Sequence, residues 1–152
     1  LYQFAPNSNT WIDPLGLSLS YVTFPSSQVI HEVTIQMQGG RGADFKAANI
    51  EAGILSPSGN HTQKAHKDIY GDVTWHHADY DPTNNTAKMQ LVTEADHRAT
   101  LPHRGSVADF EKFHGVTYDT PEAKQTARKI NKKIMMQRLA NAFRSLINKK
   151  CP

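Results

Sequence analysis

The sequence predicts an α+β domain in which a β-hairpin is followed by short helices and a long C-terminal helix. Two partly alternating apolar runs, DVTWHHADY (72–80) and TAKMQLVT (86–93), flank the turn-forming residues DPTNN (81–85), which is the pattern of a hairpin. From Thr120 to Lys150, apolar residues recur at steps of three to five, the spacing of one helical face. The length of 152 residues suits one domain, or a small domain with a tail.

Composition excludes several kinds of site. Cys151 is the single cysteine, so the chain can form no internal disulfide and no cysteine-based zinc site. The longest uncharged run, residues 14–30, is interrupted by Pro14, Gly16 and Pro25, and it lacks the roughly 18 consecutive apolar residues of a spanning helix. We therefore expect no membrane partner, and a fold that depends on packing, with or without a histidine-bound metal.

Charge is unevenly distributed along the chain. Residues 120–152 contain nine Lys or Arg and one acid, a net charge of +8, whereas residues 1–119 carry a net charge of −5. A basic tail on a mildly acidic body often marks contact with nucleic acid.

The first half of the chain predicts a mixture of strands, one helix and loops. Residues 1–17 are rich in Asn, Pro and Gly and predict an extended segment. The runs SYVTF (20–24) and VIHEVTIQM (29–37) predict strands. Asp44 is expected to cap a helix over FKAANIEAGI, and the polar residues 55–71 are expected to form a loop.

The residues after the hairpin predict short helices. Thr93 is a candidate N-cap for a helix that Pro102 ends or kinks. The run SVADFEKFHG (106–115) predicts a second short helix that stops at its glycine. Thr120 and the proline after it then predict the start of the long helix.

Four of the eight histidines lie within 28 residues, at positions 76, 77, 97 and 103. Neutral imidazole is a good ligand for zinc and similar ions. Side chains alternate along a strand, so His76 and His77 cannot both face one ion. A division of labour follows, in which one binds the metal and the other acts as a base. Spacing alone leaves open the alternative that these are scattered polar histidines.

The order of several short motifs resembles the WHH group of the HNH/endonuclease VII nucleases, which have the ββα-metal fold. The matching motifs are the Trp-His-His triplet (75–77), MQLV (89–92), a His-x(n)-Pro-His-x-Gly ending (97–105) and RGADFKAAN (41–49). The resemblance spans about residues 41–115. It implies a ββα-metal core over about residues 72–104, to which the apolar spacing adds further helices and the basic helix over about 120–150.

The resemblance also implies roles for the histidines. His76, His97 and His103 would hold one divalent ion, Mg²⁺ or Zn²⁺. His77 would be the general base, with the opposite assignment of His76 and His77 left open. Gln90 occupies the place of the middle Asn of HNH and would orient the base or brace the loop.

Four basic residues are candidate nucleic-acid contacts. Arg41 and Arg104 lie within the resembling region, and Lys129 and Lys133 lie on the basic helix. Attraction of such a helix to phosphates depends on salt. The alternatives are a solvated helix face, or a surface on which an acidic protein partner docks.

A second resemblance concerns PNSNTWIDPLGL (6–17), which looks like the junction of Rhs-type polymorphic toxins. It implies cleavage after Leu17 from an Rhs carrier and a toxin domain over residues 18–152. The protein would be made in the bacterial cytoplasm as the end of a larger protein. A contact-dependent or type VI secretion machine would deliver it into the target-cell cytoplasm, and a cognate immunity protein would protect the producer.

Together these observations predict a metal-dependent endonuclease that cleaves DNA as a secreted antibacterial toxin. Two alternatives remain at this stage. One is a metal-dependent RNase toxin on the same scaffold, and the other is a non-catalytic DNA-binding domain stabilised by zinc.

Overall fold

The computed structural model of the protein describes residues 21–148, and the predicted junction over residues 6–17 lies outside this range. A short 3-10 helix, Ser26–Gln28, precedes the regular elements. These are β1 (His31–Gln36), α1 (Arg41–Glu51), α2 (Ala65–Tyr70), β2 (Val73–Asp81), β3 (Thr86–Thr93), α3 (Glu94–Ala99), α4 (Ser106–His114) and α5 (Pro121–Asn148). Within the described range the strands form one antiparallel sheet in the order β1-β3-β2. The predicted α+β class is confirmed.

The two faces of the sheet have different partners. One face carries Ile35, Trp75 and Leu91, which form a buried core with Ala48 of α1. The opposite face carries His76, which is paired in register with Gln90 of β3. Side chains alternate along a strand. This register therefore places His76 and Gln90 on the face away from the apolar core.

The predicted hairpin is confirmed, with a turn at 82–85 between β2 and β3. The carboxylate of Asp81 accepts hydrogen bonds from the backbone N–H of Thr83 (2.8 Å) and from Asn84 Nδ2 (2.9 Å). The register slips between His77 and Tyr80. The slip ends the regular alternation directly after the histidine pair.

The predicted helix starts and stops after the hairpin are also confirmed. Thr93 Oγ1 accepts a hydrogen bond from the backbone N–H of Asp96 at 3.0 Å, which caps α3. The helix ends at Ala99, ahead of Pro102, as steric exclusion before proline requires. Gly115 follows α4 with φ +65°, a conformation that favours glycine.

Two predictions near the N-terminus are wrong. Residues 21–24 form no strand, and Tyr21 makes only an isolated parallel bridge to Arg104. Asp44 is not a helix cap, because α1 begins at Arg41 after Gly40. Its carboxylate reaches back to accept the backbone N–H of Gln38 at 2.8 Å instead.

The predicted loop over residues 55–71 contains α2. Ala65 and His66 are buried there, and the ring of His66 packs edge-on against Trp75. Tertiary packing of this kind gives a short polar segment the helical stability that its composition does not predict.

Helix α5 packs along its first half only. Ala123, Ala127 and Ile134 are buried, whereas Leu139 and Phe143, predicted to continue the same stripe, are 52% and 69% exposed. The second half of the helix therefore projects from the body. None of the helices in residues 21–148 combines the length and apolar character needed to cross a membrane.

His66 is a buried histidine from which we expect a pH dependence of the free energy of unfolding. Asn49 Oδ1 accepts hydrogen bonds from Trp75 Nε1 (2.8 Å) and from His66 Nδ1 (3.2 Å), so His66 Nδ1 carries the proton. His66 Nε2 is buried with no partner in the described range. Burial lowers the pKa of His66 to about 4.

We expect stability to fall as the pH drops from about 6.5 towards 4, because the unfolded chain binds a proton that the folded chain excludes. The loss from His66 is at most about 3 kcal/mol. In His66→Gln, the difference in urea-unfolding free energy between pH 7.5 and pH 4.5 should be smaller than in the wild type. Equal pH dependence in wild type and His66→Gln would contradict this prediction.

Candidate metal centre

Three imidazoles converge beside β2, from His76, from His97 of α3 and from His103. Their ring centroids are 4.7 Å apart for His76 and His103, 5.4 Å for His76 and His97, and 5.0 Å for His97 and His103. One nitrogen of each ring lies within 4.8 Å of the corresponding nitrogens of the other two. This spacing fits three ligands of one ion.

Helix α3 and the turn after it bring His97 and His103 together. On an unbroken helix, residues six apart would point about 120° away from each other. The helix ends at Ala99, and the chain turns before it reaches His103. The prediction that the helix is interrupted at Pro102 is confirmed.

Gly105 allows this chain segment to pass close to β2. A Cβ built on Gly105 would lie 2.2 Å from the backbone oxygen of His77. Two residues before it, His103 joins the cluster. A side chain at position 105 would push the segment away from the strand and move this ligand.

The hydrogen bonds of His76 set which of its nitrogens can bind a metal. His76 Nε2 lies 2.8 Å from the backbone oxygen of Val22. A carbonyl oxygen only accepts, so Nε2 carries the proton and Nδ1 keeps its lone pair. His76 Nδ1 is buried and has no hydrogen-bond partner in the described part of the chain. A buried lone pair without a partner is costly, and a bound cation would satisfy it.

The same reasoning applies to His103. Thr100 Oγ1 donates its proton to the backbone oxygen of His97 at 2.8 Å. It therefore accepts from His103 Nδ1, at 3.2 Å, which leaves Nε2 with the lone pair. Metal-binding histidines ordinarily donate their other N–H to an oxygen in this way. The donor sets of His76 and His103 thus fit a metal.

The surroundings of all three rings favour their neutral state, in which imidazole binds metals. Burial lowers the pKa of His76 to about 4. Burial, with the neighbouring His103 and His77, lowers the pKa of His97, and burial lowers the pKa of His103. The lowered pKa values therefore favour metal binding by these rings.

His77 lies on the other face of β2, as the alternation predicts. Its Nε2 donates to Asp44 Oδ2 at 2.9 Å, and its ring lies against Phe45. The side chain is 8% exposed. His77 is not a member of the cluster.

Gln90 braces a neighbouring segment. Its Oε1 accepts the backbone N–H of Phe24 at 2.8 Å, and its Nε2 donates to the backbone oxygen of Phe24 (3.0 Å) and to Glu32 Oε2 (2.8 Å). This holds the segment whose Val22 carbonyl binds His76. None of these bonds reaches His77, so Gln90 supports the candidate ligand and the loop rather than the candidate base.

The two arginines predicted to contact phosphate already have partners within the protein. Arg41 forms an ion pair with Asp119, and its backbone N–H donates to the same carboxylate at 2.7 Å. Arg104 directly follows His103 in sequence, lies over the Tyr21 ring at 5.6 Å and is 3.8 Å from Asp109. Both guanidinium groups already have internal partners.

Lys129 and Lys133 are exposed on α5 and have no ion-pair partner within residues 21–148. Their helix contacts the turn end of the hairpin, where Asn131 Oδ1 accepts from Asn85 Nδ2 at 2.7 Å. Five residues of strand separate His76 from this end, about 17 Å at ~3.3 Å per residue. These two lysines are therefore remote from the histidine cluster.

Sequence reasoning missed two residues that contact His77. Asp44 was expected to cap a helix, although it lies within the quoted motif RGADFKAAN. Tyr118 stands outside every quoted motif, and its hydroxyl lies 2.5 Å from Asp44 Oδ2. Only the folded chain brings these residues together.

Comparison with known proteins identifies the region that contains the cluster. Residues 65–113 match the family model WHH, described as a nuclease of the HNH/ENDO VII superfamily with conserved WHH. No curated protein and no solved structure matches the chain. The matched region contains the hairpin and all three clustered histidines. The match shows that this region is similar to the HNH/ENDO VII nucleases.

We expect the protein to bind one Zn²⁺ or Co²⁺ through the cluster. In His97→Ala the affinity should fall by roughly 100-fold or more, since loss of an outer partner alone costs about 10–100-fold. Thr100→Val should cost an amount within that outer-partner range. Titration calorimetry and the visible absorption of Co²⁺ measure both effects.

His61→Ala is the matched control, because His61 lies outside the cluster. Its affinity and stoichiometry should equal those of the wild type. Unchanged Co²⁺ absorption in His97→Ala would contradict the ligand assignment.

Proposed function

We propose that this protein is a metal-dependent endonuclease that hydrolyses phosphodiester bonds in DNA and acts as an antibacterial toxin. The observation that carries the proposal is the convergence of His76, His97 and His103 inside the region that matches the WHH nuclease model. Two of these rings have a hydrogen-bonded outer nitrogen and a free inner one.

The donor set supports zinc or a similar transition ion over Mg²⁺. Imidazole nitrogen suits Zn²⁺, whereas Mg²⁺ prefers oxygen ligands. Structural zinc sites use four protein ligands and catalytic ones use three, so three histidines favour an enzyme over a zinc-stabilised binding domain. A bound divalent ion would polarise the phosphate and stabilise the charge on the leaving 3′ oxygen.

The proposed general base is His77. Its neutral imidazole takes a proton from a water molecule whose oxygen forms a bond to phosphorus. The bond from phosphorus to the 3′ oxygen breaks, and that oxygen takes a proton from solvent. His76 lies within the cluster and His77 lies outside it, which supports this division of roles over the reverse one.

Substrate binding would use the basic surface of α5. Lys129 and Lys133 are exposed there, and residues 120–152 carry a net charge of +8. Attraction to a phosphate backbone is the same for DNA and RNA to a first approximation. The choice of DNA is therefore part of the proposal, and RNA cleavage is an outcome of the test.

The proposed biological setting follows from the resemblance of residues 6–17 to an Rhs junction. Cleavage after Leu17 would release the toxin from its carrier. A secretion machine would deliver it to the cytoplasm of a competing cell, and an immunity protein would bind it in the producer. The exposed apolar residues Leu139, Phe143 and Leu146, with Lys133 and Arg144 beside them, support an acidic protein partner at α5.

We expect the protein to nick and linearise supercoiled plasmid, to lose this activity in EDTA and to recover it with Zn²⁺ or Mg²⁺. His77→Ala should reduce the cleavage rate by roughly 10²–10⁴-fold, the usual contribution of a general base. Its metal affinity should stay close to that of the wild type, because His77 is outside the cluster. Gel assays with plasmid and with total RNA, run in parallel, measure the rates.

The control His61→Ala should cleave at the wild-type rate. Cleavage of RNA with intact plasmid would replace the DNase proposal by the RNase. Full activity in His77→Ala would exclude His77 as the base. Tight binding of one zinc with neither substrate cleaved would instead support the non-catalytic domain.

A further inference from the structure

A fully buried carboxylate lies beneath His77, on the face of β2 opposite the metal centre. Asp44 Oδ1 accepts the backbone N–H of Gln38 at 2.8 Å. Asp44 Oδ2 lies 2.5 Å from the hydroxyl oxygen of Tyr118 and 2.9 Å from His77 Nε2. The Asp44 side chain is 0% exposed, so these three groups take the place of water around it.

We propose that Asp44 is a positioning residue that fixes the tautomer of His77, with the proton on Nε2 and the lone pair on Nδ1. This inference rests on the proposed function, in which His77 is the base that deprotonates water. It adds that Nδ1 is the atom of His77 that takes the proton from water, and that Asp44 keeps the lone pair on this atom.

Every group around Asp44 is a donor. The backbone N–H of Gln38 can only donate. The hydroxyl of Tyr118 accepts the backbone N–H of Gly39 at 3.2 Å, which leaves its proton for Asp44. Burial, with the Asp44 charge, raises the pKa of Tyr118, so Tyr118 keeps that proton. The Asp44 carboxylate therefore accepts at both oxygens and can only accept from His77 Nε2.

The other ring nitrogen of His77, Nδ1, can accept a proton from water. Of the two ring nitrogens of His77, only Nε2 forms a hydrogen bond with a residue in the described range 21–148. With the proton held on Nε2, the lone pair of a neutral ring lies on Nδ1. When Nδ1 takes a proton from water, the adjacent carboxylate stabilises the resulting imidazolium, as the aspartate of a Ser-His-Asp triad does.

Asp44→Asn is a sharp test, because Gln38 fixes the orientation of the new amide. The backbone N–H of Gln38 requires an oxygen at the position of Oδ1. The amide NH₂ must then occupy the position of Oδ2 and point its protons at Tyr118 and His77. His77 Nε2 would have to accept, which moves the ring proton to Nδ1 and removes the lone pair from the reacting position.

The experiment combines nitrogen NMR of the histidine rings with kinetics. Long-range ¹H–¹⁵N spectra of the zinc-loaded full chain at pH 8 report which nitrogen of His77 is protonated, and His77→Gln assigns its signals. We expect Nε2–H in the wild type and Nδ1–H in Asp44→Asn. For plasmid cleavage, kcat of Asp44→Asn should fall roughly 10²–10⁴-fold, as for loss of the base. Both KM and zinc affinity should stay within about twofold.

Two further variants separate tautomer control from packing. Tyr118→Phe removes one donor from Oδ2 and leaves the carboxylate, so His77 should keep Nε2–H. Asp68→Asn makes the same chemical change at an exposed position of α2 and should alter neither spectrum nor rate.

Each outcome decides the question. Nδ1–H in wild-type His77 would overturn the inference, and this measurement does not need a folded variant. An inactive His77→Ala beside a fully active Asp44→Asn would overturn it while leaving His77 as the base. Full activity of His77→Ala would remove the proposed function itself, and this inference with it.

Discussion

The alternation of side chains along β2 is the constraint on which the candidate site depends. Adjacent residues of a strand must point to opposite faces, so two consecutive histidines cannot share one environment. His76 lies with His97 and His103, and His77 lies with Asp44 and Tyr118. Two chemically identical side chains thereby acquire different partners and different free nitrogens. No difference between the residues themselves is needed, because the backbone supplies it.

Both histidines are held by oxygen acceptors that face one nitrogen and leave the other free. The acceptor is the Val22 carbonyl for His76 and the Asp44 carboxylate for His77. A carbonyl carries no net charge, so it orients a ring while favouring a positive charge on it less than a carboxylate would, which suits a metal ligand. A carboxylate also stabilises an imidazolium, which suits a group that gains and loses a proton. The difference between the two acceptors thus parallels the difference between the two proposed roles.

Patterns that act over a few residues predicted much of this molecule. The hairpin, the Thr93 cap, the end of α3 before Pro102 and the start of α5 depend on local turn and capping chemistry, and they agree with the structure. The failures share a cause of longer range. Asp44 looked like a cap because its contacts with His77 and Tyr118 join residues 33 and 74 positions away. Helix α2 needs the Trp75 core. The histidine cluster could be predicted because the family resemblance indicated which three histidines lie together. The spacing of the histidines in the sequence alone left that open.

The segment before β1 supports the histidine cluster although it lies outside the region that matches the nuclease family. The family match begins at residue 65 and ends at residue 113, and a fragment cut to those limits would keep His76, His97 and His103. It would lose the Val22 carbonyl that directs the His76 proton, the Phe24 backbone held by Gln90, and Asp44. Such a fragment would contain the recognisable motif with its imidazoles free to rotate and exchange protons. The recognisable signature is therefore shorter than the stretch of chain that holds these side chains in place, which extends back at least to Val22.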